Sequence, residues 1–381
     1  MKRPLKNTGF WLVLLVVIPA VILLALESVS SIAYYQRTKR PELPRSSTAA
    51  AIRKFLDRSR KSADTSETGR FDFVMNLRAK GNRVYPAYLY EPQLHHPSSP
   101  YHLANPISSE IVYRNEGGFY VRFNTDEIGF RNPPKQIGTT VDYTFLGDSF
   151  TEGAYENEDG TMAGHFRNSG KKVLNLGKGG SGPLFQMAIL REYGAAVKSK
   201  KVVWYIFTGN DFQNLREEKT TALSRYLDPA YTQGLFAKRE EISELLTAFI
   251  DSEIVRNTSR KDKGKRFPTM LGYGETLDPI EAKEKEAPLF LEIAGQVNDW
   301  CRLNGSELRI VILNHVVYDY DVQDITSQTV RDFAKSNGLQ YLEFTREELL
   351  NRKDWYTGIG THFNAIGYRA VADRVMKWLS Q

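Results

Sequence analysis

At 381 residues, 41% of them hydrophobic, the chain is long enough for one large or two modest domains and too apolar for a disordered protein. Its formal net charge of +6 is local: residues 1–61 hold 12 Lys/Arg against 3 Asp/Glu, a net of +9, so the remainder carries −3. Such a remainder offers no electrostatic footprint for nucleic acid, and a single cysteine, Cys301, excludes an intramolecular disulfide and a multi-cysteine metal site.

The first element is the segment 9–26 (GFWLVLLVVIPAVILLAL), which follows Lys2, Arg3 and Lys6 and contains no charged side chain. Its length approaches that of a bilayer-spanning helix, and no clear small-residue cleavage pattern precedes Glu27, so residues 1–33 read as an uncleaved signal anchor, a transmembrane helix held in membrane lipid. Three basic residues precede the apolar run and Arg37, Lys39, Arg40 and Arg45 follow it, so charge alone leaves its orientation open. Residues 34–70, rich in Ser, Arg, Lys, Pro and Thr, read as a basic stalk and linker, suited to anionic headgroups or simply solvated.

Residues 71–140 contain aromatic, β-favouring pieces such as VYPAYLY and GGFYVRFN divided by Pro and Gly, which predicts a small β-containing subdomain. From 141 onward short β-rich runs alternate with helical stretches: VDYTFLGD, KVLNLG, KVVWYIFTG, LRIVILN and LQYLEF. That alternation predicts a parallel sheet with helices on both faces, whose reactive residues collect at the carboxyl ends of the strands. A polar insertion spans 212–288, where Ile242, Leu245, Leu246, Phe249, Ile250 and Ile254 follow helical spacing. Such a helix either packs on the core or serves as a lid.

Four motifs fall at strand ends or just before a helix. FLGDSFTEG (145–153) delivers Ser149 into a turn between strand and helix, where helix-terminal N–H groups gather; the competing reading of the serine is a helix cap. NLGKGGSG (175–182) has four glycines after a strand, and backbone N–H groups in such a loop can stabilise an oxyanion. TGND (208–211) places the Asn210 amide as a further donor, or as a cap. GTHFNAIGY (360–368) sets His362, a side chain suited to proton transfer near neutrality, before a helix running through Val371, Val375 and Leu379.

In that order these motifs resemble those of the SGNH/GDSL hydrolase superfamily, over residues 141–381. The resemblance implies a three-layer α/β/α domain with a mainly parallel, flavodoxin-like sheet, preceded here by the transmembrane helix and the small β-containing segment. It implies Ser149 as the nucleophile of an ester hydrolase working through an acyl-serine intermediate, His362 as its base, and the Ser149 and Gly180 N–H groups with the Asn210 side chain as the oxyanion hole. The implied partner is an acyl ester, with envelope-glycan O-acetyl esters leading and O-acyl transfer to a polysaccharide as the alternative; no cofactor or metal is implied. The resemblance also sets the catalytic domain in the periplasm or outside the cell.

The chain departs from the family at two points. Thr208 stands where the third motif usually begins with Gly, a change of little weight if only backbone passes there. Family members commonly place an Asp three residues before the His, or two in some envelope acetylation proteins, and those positions here are Ile359 and Gly360. Asp354, eight residues before His362 in the same loop, is the expected substitute, with Asp319 and Asp321 as further carboxylates and a Ser–His dyad oriented by a backbone carbonyl as the alternative. A chain without the acid is also compatible with an impaired, binding or assembly role. The remaining histidines, His95, His96, His102, His165 and His315, show no metal-ligand spacing.

Overall fold

The structure, a computed structural model, describes residues 67–87, 102–116, 118–259, 279–316, 325–357 and 362–381. The expected anchor at 9–26 and most of the stalk at 34–70 lie outside the described residues. Among the described residues no helix is long and apolar enough to cross a membrane.

The chain enters through helix α1 (Glu67–Arg78) and a three-stranded sheet of β1 (Val84–Pro86), β2 (Glu110–Asn115) and β3 (Tyr120–Asn124). Strand β2 is central, parallel to β1 and antiparallel to β3. Val74, Val84, Ile111, Tyr113, Val121 and Phe123 form its core. The motif pieces VYP and YVRFN become the outer strands as expected; the middle strand, EIVYRN, carries no turn signal and was not anticipated.

The second sheet has five parallel strands in the order β5-β4-β6-β7-β8: β4 (Thr140–Leu146), β5 (Val173–Asn175), β6 (Lys198–Phe207), β7 (Glu307–Leu313) and β8 (Tyr341–Phe344). All five predicted runs are strands. Counted from β4, the order is 2-1-3-4-5, that of flavodoxin-like sheets, whose ligands sit where the winding direction reverses. That point is the carboxyl end of β4 between β5 and β6.

Alternation along the strands assigns the two faces. Leu146, Val202, Trp204, Ile206, Ile310 and Ile312 pack on one side, against α4 (Pro183–Tyr193), α7 (Pro279–Leu303) and α8 (Ile325–Ser336), which supply Leu184, Phe290, Val297, Cys301 and Val330. Phe145, Val203, Tyr205, Val311 and Leu313 pack on the other, against α3 (Met162–Asn168) and α10 (Ala365–Leu379), including Val371, Val375 and Leu379. A strand buried on both faces has to be apolar at nearly every position, which is why β6 and β7 read as unbroken hydrophobic runs. The expected three-layer arrangement is present.

The region expected as an insertion begins with α5 (Asp211–Glu218), which is part of the site's frame, and includes α6 (Arg239–Ser259). On α6 the apolar residues Ile242, Leu246 and Ile250, spaced four apart, are buried, as is Ser243, whereas Leu245 is exposed. Leu246 and Ile250 belong to the core of the three-stranded sheet. Through these residues the helix packs as a structural element on the small sheet. Leu246→Ala is expected to cost about 2–5 kcal/mol of unfolding free energy, read as a lower urea midpoint. An unchanged midpoint would mean that α6 carries no core.

Candidate active site

Ser149 is the first residue of a single-turn helix, α2 (Ser149–Glu152). The cap of that helix is Asp148, whose carboxylate accepts from the Phe150 N–H at 3.0 Å, so the serine hydroxyl is left for other work. Ser149 Oγ lies 2.9 Å from His362 Nε2. The other imidazole nitrogen, Nδ1, lies 3.0 and 3.2 Å from the two carboxylate oxygens of Glu116. A carboxylate only accepts, so Nδ1 carries the proton and donates it, and Nε2 presents its lone pair to the Ser149 hydroxyl. His362 is held between the rings of Tyr155 and Phe150, with centroids at 4.6 and 5.0 Å.

The carboxylate at His362 is thus Glu116, one residue past β2, and Asp354 does not hold that place. Asp354 sits in a short 3-10 turn (Lys353–Trp355) with its side chain exposed. Its contribution is its backbone carbonyl, which accepts from Asn364 Nδ2 at 2.8 Å, while Asn364 Oδ1 caps α10 through the Ile366 and Gly367 N–H groups. The loop is pinned by its backbone, and the acid on it turns to solvent. Ile359, Gly360, Asp319 and Asp321 lie outside the described residues. Sequence reasoning missed Glu116; the one local cue is the β-favouring run IVY at 111–113, which ends three residues before it.

The glycine loop after β5 is built against α2. A Cβ at Gly177 would come 2.3 Å from the Glu152 backbone N and 2.6 Å from the Thr151 carbonyl carbon, so only glycine allows this approach. Asn175 ties the same pair together, donating to the Thr151 carbonyl at 2.9 Å and accepting from the Gly177 N–H at 2.9 Å. Gly180 has φ of +77°, in the left-handed region that favours glycine. Among the described residues the N–H groups of Ser149 and Gly180 donate to no protein acceptor.

Asn210 is the N-cap residue of α5, yet its side chain makes no capping bond and its buried Oδ1 has no partner. The Thr208 side chain is used, contrary to expectation: its Oγ1 accepts from the His315 N–H at 3.1 Å and so links the ends of β6 and β7. His315 is buried there, beside Gly209, with its Nδ1 3.5 Å from Thr208 Oγ1.

Buried carboxylates underlie the whole site. Burial pushes Asp148 up to about 6, with its backbone N–H bonds and the His362 charge acting against the rise. Asp211, fully buried and near Asp148, is pushed well up by burial and by that neighbouring charge. Glu218 accepts from Gly182, Leu184 and Phe185 N–H groups at the start of α4, and burial raises it to about 8 despite those bonds.

These positions define a serine–histidine–carboxylate constellation at the switch point of a parallel α/β sheet. The GDSL-like lipase/acylhydrolase family model matches residues 145–370, and the chain belongs to that family, within the SGNH/GDSL hydrolase superfamily. Membership supports a hydrolase of the SGNH type acting on acyl esters. Among solved structures, a G-D-S-L family protein from Desulfitobacterium hafniense DCB-2 is similar at 12% identity with a TM-score of 0.37, covering 62% of this chain and 98% of that one. None of the curated proteins compared with the chain matches it.

Glu218 gives a pH prediction. The folded protein holds this proton up to about pH 8, whereas the unfolded chain releases it near 4.5, so its contribution to stability is present below 4.5 and is lost as pH rises through 8. Wild-type unfolding free energy is expected to fall across that window, and the fall should be smaller in Glu218→Gln. Denaturant titrations at several pH values compare the two; parallel curves would contradict the assignment.

Proposed function

We propose that the protein is a serine esterase acting through an acyl-Ser149 intermediate. The observation that carries this reading is the 2.9 Å contact between Ser149 Oγ and His362 Nε2, and the Ser149 and Gly180 N–H groups, which donate to no acceptor among the described residues, support it. Ser149 Oγ attacks the ester carbonyl as its proton passes to His362 Nε2. The negative charge that develops on the carbonyl oxygen is received by those two N–H groups and the Asn210 side-chain amide. His362 then gives its proton to the departing alcohol. A water, deprotonated by the same imidazole, hydrolyses the acyl-serine and restores the hydroxyl.

The substrate class in this reading is an O-acetyl ester on a cell-envelope glycan. It is supported by the apolar run at 9–26, the basic stretch that follows, and the superfamily's acyl-ester chemistry. The same features support a single-pass protein whose catalytic domain lies in the periplasm or outside the cell. Transfer of the acyl group to a sugar hydroxyl uses the same residues, with the sugar replacing water in the second half; product analysis with a glycan acceptor separates the two.

Ser149→Ala is expected to abolish turnover of p-nitrophenyl acetate and labelling by a fluorophosphonate. Asn210→Ala should fold and lose about 10²–10³ in kcat, the usual cost of one oxyanion donor. Wild-type activity in Asn210→Ala would remove that side chain from the site. Failure of the wild-type protein to label or turn over would overturn the esterase reading.

A further inference from the structure

We propose that the three-stranded sheet preceding the hydrolase domain is a working part of the active site, and that Glu116, at the end of its central strand, is the positioning residue for His362. The inference rests on the reading of Ser149 and His362 as nucleophile and base. The region matched by the family model starts at residue 145, so it contains neither Glu116 nor the strand that carries it.

Two features aim Glu116. The β2–β3 pairing runs Glu110↔Asn124, Ile111↔Phe123 and Val112↔Arg122, then shifts to Asn115↔Tyr120, so β2 carries one extra residue just before Glu116. A bulge of this kind turns the strand and redirects the side chain that follows. Asn115 then fixes the turn by accepting the Gly118 N–H at 2.7 Å, where Gly118 has φ of +93°. The carboxylate arrives at His362 Nδ1 partly buried, with Thr357 Oγ1 donating to its Oε2 at 3.3 Å and the Thr357 N–H donating to the His362 carbonyl at 2.8 Å. Thr357 therefore holds both partners of the pair.

A second contact from the same strand fixes the sheet against the other half of the site. Tyr113, fully buried on β2, donates to Glu152 Oε2, and that oxygen also accepts the Gly179 N–H at 2.6 Å. Glu152 Oε1 accepts from Asn105 in the segment leading into β2. One strand thus reaches the glycine loop through Glu152 and the histidine through Glu116. Locked at both points, Glu116 holds the imidazole with Nδ1 protonated and stabilises the imidazolium that forms when Ser149 is deprotonated.

The test compares Glu116→Gln with Asp354→Asn in the otherwise intact protein. Glu116→Gln should unfold at the wild-type midpoint, keep KM for p-nitrophenyl acetate, and lose on the order of 10⁴ in kcat, the cost of losing tautomer control; Glu116→Asp should recover part of it. Asp354→Asn should stay within about threefold of wild type. Independently of turnover, the low-field proton NMR signal of an imidazole Nδ1–H bonded to a carboxylate should persist in Ser149→Ala and Asp354→Asn and vanish in Glu116→Gln. Loss of that signal in Asp354→Asn, or its survival in Glu116→Gln, would overturn the proposal. A wild-type protein that shows the signal but turns over no ester would instead overturn only the esterase reading.

Discussion

The hydrogen bond from Ser149 Oγ to His362 Nε2 joins two residues 213 positions apart, and the surrounding structure is arranged to keep its two ends in place. At the serine end, a buried strand stops at Leu146 and a one-turn helix begins at Ser149, capped by Asp148. At the histidine end the described residues form only an isolated bridge between Tyr356 and Phe363. His362 stands between a loop stapled by Asn364 and the start of α10, and its ring lies against Tyr155 and Phe150. Rings packed in this way limit rotation of the imidazole, which leaves the choice of tautomer to whatever faces Nδ1.

Beneath that contact lies an unusual density of buried acids. Glu152, Glu218, Asp148 and Asp211 are all buried, and each accepts at least one backbone N–H. The reason is geometric. Motifs that follow parallel strands open into helices, whose first N–H groups have no partner within the helix and need acceptors. Short side chains from neighbouring motifs supply them, so Glu218 serves α4 and Glu152 serves the glycine loop. Burial raises several of these acids, and the N–H groups that they bind still leave those of Ser149 and Gly180 without an acceptor among the described residues.

Much of this was legible from sequence because it is encoded locally. The five β-runs and the helix through Val371, Val375 and Leu379 follow from hydrophobic period and turn residues, whereas the flavodoxin-like order of the strands came from the family resemblance. Ser149, Gly180, Asn210 and His362 stand out in the sequence because each sits in a short motif at an element boundary, and the structure brings Ser149 and His362 into contact. Glu116 does not stand out, since nothing in EIVYRN marks the residue that follows it as facing an imidazole 246 positions away; that placement comes from a bulge in the register of β2 on β3. Asp354 misled for the opposite reason. Proximity in sequence suggested contact, but the backbone bonds that pin its loop turn its side chain outward. Thr208 was discounted because a family position usually held by Gly looked like backbone alone, and its hydroxyl joins two strand ends instead.

The position of the acid shows how little a constellation of this kind depends on chain order. What His362 requires is a carboxylate in the plane of Nδ1, desolvated enough to matter and held firmly enough to define one tautomer. A loop immediately before the histidine can supply it, and so can an upstream sheet, provided that the sheet is fixed on the domain at a second point. Tyr113 on Glu152 is such a point, and it lies three residues before Glu116, on the strand that leads to it. Because the phenol bonds a carboxylate that also holds the glycine loop, movement of β2 away from the domain would disturb the base and the loop carrying Gly180 together. The small sheet and the hydrolase core are therefore coupled by chemistry as well as by packing, and the boundary drawn by sequence similarity at residue 145 runs through the site.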